Sequence, residues 1–298
     1  MDQTYDFKEV EAKTILTKCG IPGIDYVVNP YTGCRFGCTY CYASFMGRFL
    51  QDKSISDWGN YVYAKINAPE LLKTELTKLK NKGKDLEIFF SSVTDPYQGV
   101  EAKYELTRKC LQELISYGFQ GYASILTKSD LVLRDIDLFK QLDCAVGLTV
   151  TSTDDSISRY FEKFAPNVNQ RFTALEELNS EGIQTYAFIG PLLPHFVAFS
   201  DELEKVFQRL SSIGTKQLFV EHLNLSSYIR KRLIEEMGKE SEDLISKFYA
   251  SQNDEYRQEL DAIVTALVDK YDMQLLTGGT IFHPEYQKRE VTKPFKFK

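Results

Sequence analysis

The sequence predicts an α/β protein whose parallel sheet winds as a partial TIM-like barrel of about six βα units, with helical decoration towards the C-terminus. Short runs rich in β-branched and aromatic residues recur along the chain, each followed by a helix-like stretch of about ten to fifteen residues. Repetition of strand and helix in this order is what right-handed βαβ units look like in sequence. Several of the helical stretches also stop at a glycine (Gly118, Gly182, Gly214), where a left-handed cap is expected. A doubly wound open sheet is the other α/β arrangement that such alternation allows.

Taken in order, residues 1–25 read as an N-terminal extension with a few apolar anchors, Phe7, Val10, Ile15 and Leu16. Residues 25–30 (DYVVNP) suit a buried strand. A short helix is expected at 43–50, and a longer one at 68–82, with Pro69 in its first turn and Gly83 just past its end. Strands follow at 86–91, 122–126, 144–150, 184–189 and 217–221, and helices at 104–117, 131–142, 169–180 and 201–212. From Ser226 to Lys270 the chain becomes mostly helical and charged, with Ile229, Leu233, Leu244, Phe248, Leu260, Ile263 and Leu267 at helix-like intervals. Residues 273–276 add a candidate last strand. The expected organisation is therefore an extension (1–25), a barrel core (26–225) and a helical layer with its tail (226–298) packed on the same domain.

The 298 residues, 43% of them hydrophobic, suffice for one large core. No run of about eighteen apolar residues occurs, and the polar start MDQTYDFKEVEAK lacks the core of a signal peptide. A cytoplasmic protein with no membrane partner is expected. The net charge of −6 runs against a protein that grips duplex nucleic acid through its phosphates. Lys293, Lys296 and Lys298 make the last residues basic, which fits a solvated terminus. Cys19, Cys110 and Cys144 are scattered and read as small buried hydrophobes, with no disulfide framework.

Chemistry concentrates in NPYTGCRFGCTYCYASF, residues 29–45. Cys34, Cys38 and Cys41 are spaced C-x3-C-x2-C with Gly33 and Gly37 between them. Three thiolates so close can face one centre only from a curling loop, and glycine permits the left-handed turns that such a loop needs. Iron–sulfur clusters and zinc are the usual centres. A four-iron cluster would keep one iron without a protein ligand. A structural zinc would want a fourth Cys or His, and His195, His222 and His283 all lie far along the chain. Further polar stretches end the proposed strands: SSVTDPYQG (91–99), TKS (127–129), TVTSTD (149–154) and GPLLPH (190–195). In a barrel these converge on one rim with the cysteines.

The cysteine loop, with Tyr40 immediately before its last cysteine, resembles that of the radical S-adenosylmethionine (radical SAM) enzymes. Taken with SSVTDPYQGVEAKYELTRKCLQEL, ILTKSDLVLRDIDLF and FEKFAPNVNQRFTALEELNSEGI, it resembles the spore photoproduct lyase-like branch of that superfamily, from about Tyr26 to Leu193. The resemblance implies a lyase-like enzyme with a [4Fe–4S] cluster on Cys34, Cys38 and Cys41, and S-adenosyl-L-methionine chelated to the open iron. It places Tyr40 beside the adenosyl group, and Thr94, Lys128 and Thr149 in contact with the cofactor. Lys128 would meet the methionine carboxylate or a ribose hydroxyl. The implied chemistry is one-electron cleavage of the sulfonium to a 5′-deoxyadenosyl radical that abstracts hydrogen from substrate, with a reductant such as flavodoxin or ferredoxin as partner. Glu162 and Arg171 match branch positions and suggest a salt bridge closing the loop between them.

Two positions bear on the substrate. Tyr42 stands where the branch has a tyrosine implicated in hydrogen transfer, and Ser92 where the lyase carries a hydrogen-donating cysteine. A serine O–H bond is too strong to donate in the same way, so the resemblance extends to the cofactor chemistry and not to thymine-dimer repair. A small molecule, a peptide or a nucleic acid all stay open as substrate. DNA repair or other nucleic-acid modification is the alternative enzyme reading, and a metal-stabilised binding module the non-enzymatic one.

Overall fold

A computed structural model of the chain describes residues 5–283. In chain order its strands and helices are β1 (Asp6–Val10), β2 (Leu16–Lys18), β3 (Tyr26–Val28), β4 (Tyr31–Thr32), β5 (Tyr61–Lys65), α1 (Ala68–Leu76), β6 (Glu87–Phe90), α2 (Glu101–Tyr104), α3 (Leu106–Tyr117) and β7 (Tyr122–Thr127). There follow α4 (Ile136–Phe139), β8 (Cys144–Thr149), α5 (Asp155–Phe161), α6 (Val168–Ser180), β9 (Gln184–Leu192), α7 (Asp201–Ser212), β10 (Gln217–His222), α8 (Ser227–Glu236), α9 (Glu242–Ala250), α10 (Asp254–Lys270) and β11 (Gln274–Leu275).

The main sheet has eight strands in the order β2-β3-β6-β7-β8-β9-β10-β11. Every neighbouring pair from β3 to β11 is parallel, and only β2 is antiparallel, against β3. Strand order follows chain order without reversal. A doubly wound sheet turns back on itself at a switch point, and this one does not, so the fold is the partial barrel. The six expected core strands all form, and β8 is buried along its whole length (CAVGLT), as a parallel strand covered on both faces must be.

The helices between them follow local rules. Asn167 and Gln170 form a reciprocal capping box at the start of α6, and Ser200 caps α7. Gly118 takes φ 73° and closes α3 through backbone bonds to Ile115 and Leu114. Three expected helices are shorter than their sequence pattern. The stretch 68–82 ends as α1 at Leu76: Leu79 is extended (φ −74°, ψ 132°), and Asn81 and Lys82 then take left-handed angles (φ 49° and 55°). The stretch 104–117 is cut by Glu105 at φ 53°, which separates α2 from α3. The stretch 131–142 is a 3-10 turn (Asp130–Asp135) followed by α4.

A second, three-stranded sheet was not expected. In it β5 lies between β1, parallel, and β4, antiparallel. The N-terminal segment thus supplies one strand to each sheet. A buried Glu101 accepts from the Tyr31 hydroxyl at 2.5 Å and from Arg134 at 2.7 Å, which ties β4 to α2. The last helices α8 to α10 pack on the barrel through Ile229, Leu233, Leu244, Phe248, Leu260, Val264 and Leu267. The basic residues Lys293, Lys296 and Lys298 lie outside the described residues. Among the described residues no helix is long and apolar enough to cross a membrane.

Candidate functional site at the barrel rim

The cysteine loop leaves β4 at Gly33 and passes into a 3-10 turn at Tyr42–Phe49. Its course is set by close backbone approaches. Gly33 takes φ 84°, and a Cβ there would stand 2.4 Å from the Tyr61 carbonyl. Gly37 (φ 63°) faces Gly59 (φ 96°), and a Cβ on Gly59 would come within 2.8 Å of the Gly37 Cα. No other residue type fits so tight a crossing.

Hydrogen bonds from the loop after β6 fix the rest. The Thr94 hydroxyl donates to the Gly33 carbonyl at 2.6 Å, and Gln98 Nε2 reaches the same oxygen at 3.2 Å. Gln98 Oε1 accepts from the Arg35 amide at 2.9 Å. Asp95 bonds the Thr127 hydroxyl and the amides of Tyr97 and Lys128, which joins the ends of β6 and β7. On the opposite flank the Thr39 amide donates to the Phe161 carbonyl at 2.9 Å, so the end of α5 docks on the loop.

Cys34, Cys38 and Cys41 are close enough to act on one another electrostatically. Burial pushes all three thiols up, Cys38 to about 12, while Lys128 pulls Cys38 and Cys41 the other way. The other cysteines are free: Cys110 and Cys144 are buried as expected, whereas Cys19 is only half-buried. Among the described residues no three Cys, His, Asp or Glu side chains are arranged around a single metal ion. Three thiols on one loop suit a polynuclear cluster, which takes its thiolates at separate corners and deprotonates them outright.

Glu162 organises the rim beside them. Its carboxylate accepts from the hydroxyls of Tyr40, Thr151 (3.2 Å) and Ser158 (2.9 Å), and pairs with Arg171 at 2.5 Å, both partners of that pair being fully buried. Lys128 Nζ lies 3.8 Å from the same carboxylate and 5.8 Å from the centroid of the Tyr40 ring. Arg171 continues to the carbonyls of Thr149 and Pro166. Burial alone would raise the Glu162 carboxyl, but Arg171, Lys128 and the Tyr40 hydrogen bond outweigh it and bring it down to about 2.

The sequence-predicted residues therefore fall into distinct positions. Tyr40 and Lys128 meet at Glu162, and Thr149 is tied in through its carbonyl, which accepts from Arg171. Thr94 has its hydroxyl engaged with the Gly33 carbonyl, holding the loop. Ser92 Oγ accepts from Asn29 Nδ2 at 3.3 Å, and its carbonyl takes the hydroxyl of Tyr42, whose ring is otherwise 45% exposed. The first half of the stretch GPLLPH lies inside β9, which runs on to Leu192.

Three residues that the sequence did not single out belong here too. Gln98 and Asp95 sat inside a quoted motif without a role of their own. Arg232, on α8, is felt electrostatically by Cys41. Only the i, i+4 spacing of Tyr228 and Arg232 marks a shared helix face, and that spacing is common.

A partial barrel that carries a three-cysteine loop at its C-terminal rim is the arrangement of the radical SAM proteins, and residues 28–208 match the radical SAM superfamily. The chain belongs to that superfamily. An uncharacterised protein of Methanocaldococcus jannaschii is 34% identical to it, over 91% of this chain and 96% of its own length. A radical SAM Nα-GlyT isomerase of Pseudomonas phage M6 is 23% identical over 72% of this chain, which spans 42% of the phage protein. A solved spore photoproduct lyase variant superposes with a TM-score of 0.68 at 13% identity, covering 90% of this chain and 80% of the lyase, a likeness of fold.

The depressed Glu162 carboxyl gives a stability test. Its contribution is full above the ordinary carboxyl value of 4.5 and fades as pH falls towards about 2. Replacing it with Gln leaves Arg171 buried and unpaired, an expected loss of about 3–5 kcal/mol at neutral pH by denaturant unfolding. The gap between the wild type and Glu162→Gln should narrow by about 3 kcal/mol between pH 5 and pH 2. A gap independent of pH would show that the carboxylate does not carry this charge.

Proposed function

We propose that Cys34, Cys38 and Cys41 hold a [4Fe–4S] cluster, that S-adenosyl-L-methionine binds at the iron they leave open, and that the chain directs the resulting radical to a substrate at the barrel rim. The observation that supports this most is the thiol trio of one loop, Cys34 and Cys38 buried and Cys41 partly so, set beside the cations Lys128 and Arg171. When bound, the cluster and S-adenosyl-L-methionine together supply a 5′-deoxyadenosyl radical by one-electron reduction. What this chain adds is binding, orientation and exclusion of water.

Tyr40 is fixed by its hydrogen bond to Glu162, so its ring offers a rigid wall beside the adenosyl group. Lys128 has ammonium protons to spare beyond its 3.8 Å contact with Glu162, which suits a methionine carboxylate or a ribose hydroxyl. Thr149 closes the β8 end next to the Arg171 guanidinium. Thr94 acts on the cofactor through the loop, by holding the carbonyl of Gly33. Tyr42 is tied by its hydroxyl to the backbone at Ser92 and shows its ring to the outside, the right place to meet substrate or relay a hydrogen atom. Electrons would come from a small redox protein such as flavodoxin or ferredoxin, and a cytoplasmic setting suits that supply.

The substrate is open. Thymine-dimer repair of the lyase kind is disfavoured, because Ser92 has no thiol hydrogen to give. Nucleic-acid modification of another kind is the second reading. It draws on Tyr42, Phe45 and Phe49, whose rings follow one another at 6.5 and 6.0 Å beside the cysteine loop, with Phe49 72% exposed. Exposed rings in series can stack bases.

Anaerobic reconstitution tests the first reading. The wild type should acquire a four-iron chromophore and, with reductant, release 5′-deoxyadenosine from S-adenosyl-L-methionine. Cys38→Ala should lose both, and cleavage retained in that variant would remove Cys38 from the ligand set. For the second reading, affinity for single-stranded nucleic acid should fall steeply with salt and weaken about tenfold or more in Phe49→Ala. Binding absent at low salt would dismiss it.

A further inference from the structure

Arg232 has no place in the chemistry described so far. Its Nη1 is buried without a hydrogen-bond partner. Burial works against its charge, and the groups that favour the charge are, in order, Cys41, Cys38, Glu235 and Tyr61. Glu235 is itself 3.9 Å from Lys231 on the exposed side of α8. The other two cations near the thiols differ in kind: Lys128 and Arg171 both have Glu162 as counterion. Glu221, the remaining acid felt by Cys41, faces His283 at 3.1 Å. Arg232 is therefore a guanidinium that cannot deprotonate, with a buried nitrogen left unpaired on the helix that packs beside the last cysteine. A charge held in this way is costly unless an anion meets it.

The local architecture shows that the placement is built. Tyr228 lies one turn earlier on the same face of α8. Its hydroxyl donates to the Tyr42 carbonyl at 3.1 Å, and Arg48 stands 5.2 Å over its ring. Two contacts thus pin α8 to the 3-10 turn that begins directly after Cys41, and the i, i+4 spacing carries Arg232 towards the cysteines.

We propose that Arg232 is the counter-cation of the thiolate cluster, a positioning residue by which the C-terminal helical layer makes the cluster easier to reduce. This rests on the cluster assignment above and goes beyond it. Reduction adds a negative charge to a centre ringed by three thiolates, and a fixed cation at buried distance favours the reduced form. The layer that sequence reads as decoration thereby takes part in electron acceptance, and loosening α8 would lower the reduced fraction.

The test is a redox titration of the full reconstituted chain, read by the electron paramagnetic resonance of the reduced cluster. Arg232→Gln should cut the ratio of reduced to oxidised cluster at fixed potential about tenfold, a midpoint about 59 mV more negative. Arg232→Lys, which keeps the charge, should stay within about threefold of the wild type. A Gln variant with full iron and sulfide content and an unchanged midpoint overturns the proposal. Should the Gln variant fail to take up iron, uptake by the Lys variant supports a need for charge, and failure of both assigns Arg232 to packing and overturns it. A wild type that binds no four-iron cluster overturns the parent assignment, an outcome seen before any variant is made.

Discussion

One carboxylate holds the rim together. Glu162 receives Tyr40 from the cysteine loop, Thr151 from the turn after β8, Ser158 from α5 and Arg171 from α6, and it stands within ion-pair reach of Lys128 at the end of β7. Tyr40 and Lys128 come to it from parts of the chain distant from residues 151–171, and Arg171 extends the network to Ser158 and the Thr149 carbonyl. A buried anion with its hydrogen bonds filled is worth keeping only if its partners stay in place, so the interaction sets the orientation of every residue it touches. The cysteine loop needs such support because it has little regular structure of its own. The other supports, Thr94 and Gln98 on the Gly33 carbonyl, reach it from the opposite side.

Electrostatics at the rim follows from this division. Lys128 and Arg171 are cations already balanced by Glu162, so they can lean towards the thiols without being drawn into them. Arg232 arrives from a separate layer, and the groups that favour its charge are led by Cys41 and Cys38. The barrel therefore shapes the site, and the layer of α8 to α10 adjusts its charge. Tyr228 couples the two by bonding the backbone at Tyr42, directly after the last cysteine.

Much of the fold was legible in the sequence because parallel strands are buried on both faces and betray themselves as short apolar runs. The strand β5 (YVYAK) was not recognised, since its partners β1 and β4 come from segments with no βαβ rhythm around them. The early stop of α1 depends on extended backbone at Leu79 and the break after α2 on left-handed backbone at Glu105, and leucine and glutamate both ordinarily sit well in helices. At the site, the cysteine spacing and Tyr40 were plain, because few chemistries need that pattern. Gln98 and Arg232 were not, because a buried glutamine or arginine looks no different in sequence from an exposed one. Their roles exist only once β6 and α8 are placed against the loop.

The central claim is that three thiolates hold a four-iron cluster with one corner left for S-adenosyl-L-methionine. Mössbauer spectroscopy of the reconstituted, iron-57-enriched chain tests it most directly. The account predicts one iron site distinct from the other three, whose signal alone shifts when S-adenosyl-L-methionine is added. Four sites unmoved by S-adenosyl-L-methionine, or a lone metal ion bound by the cysteines, would contradict it.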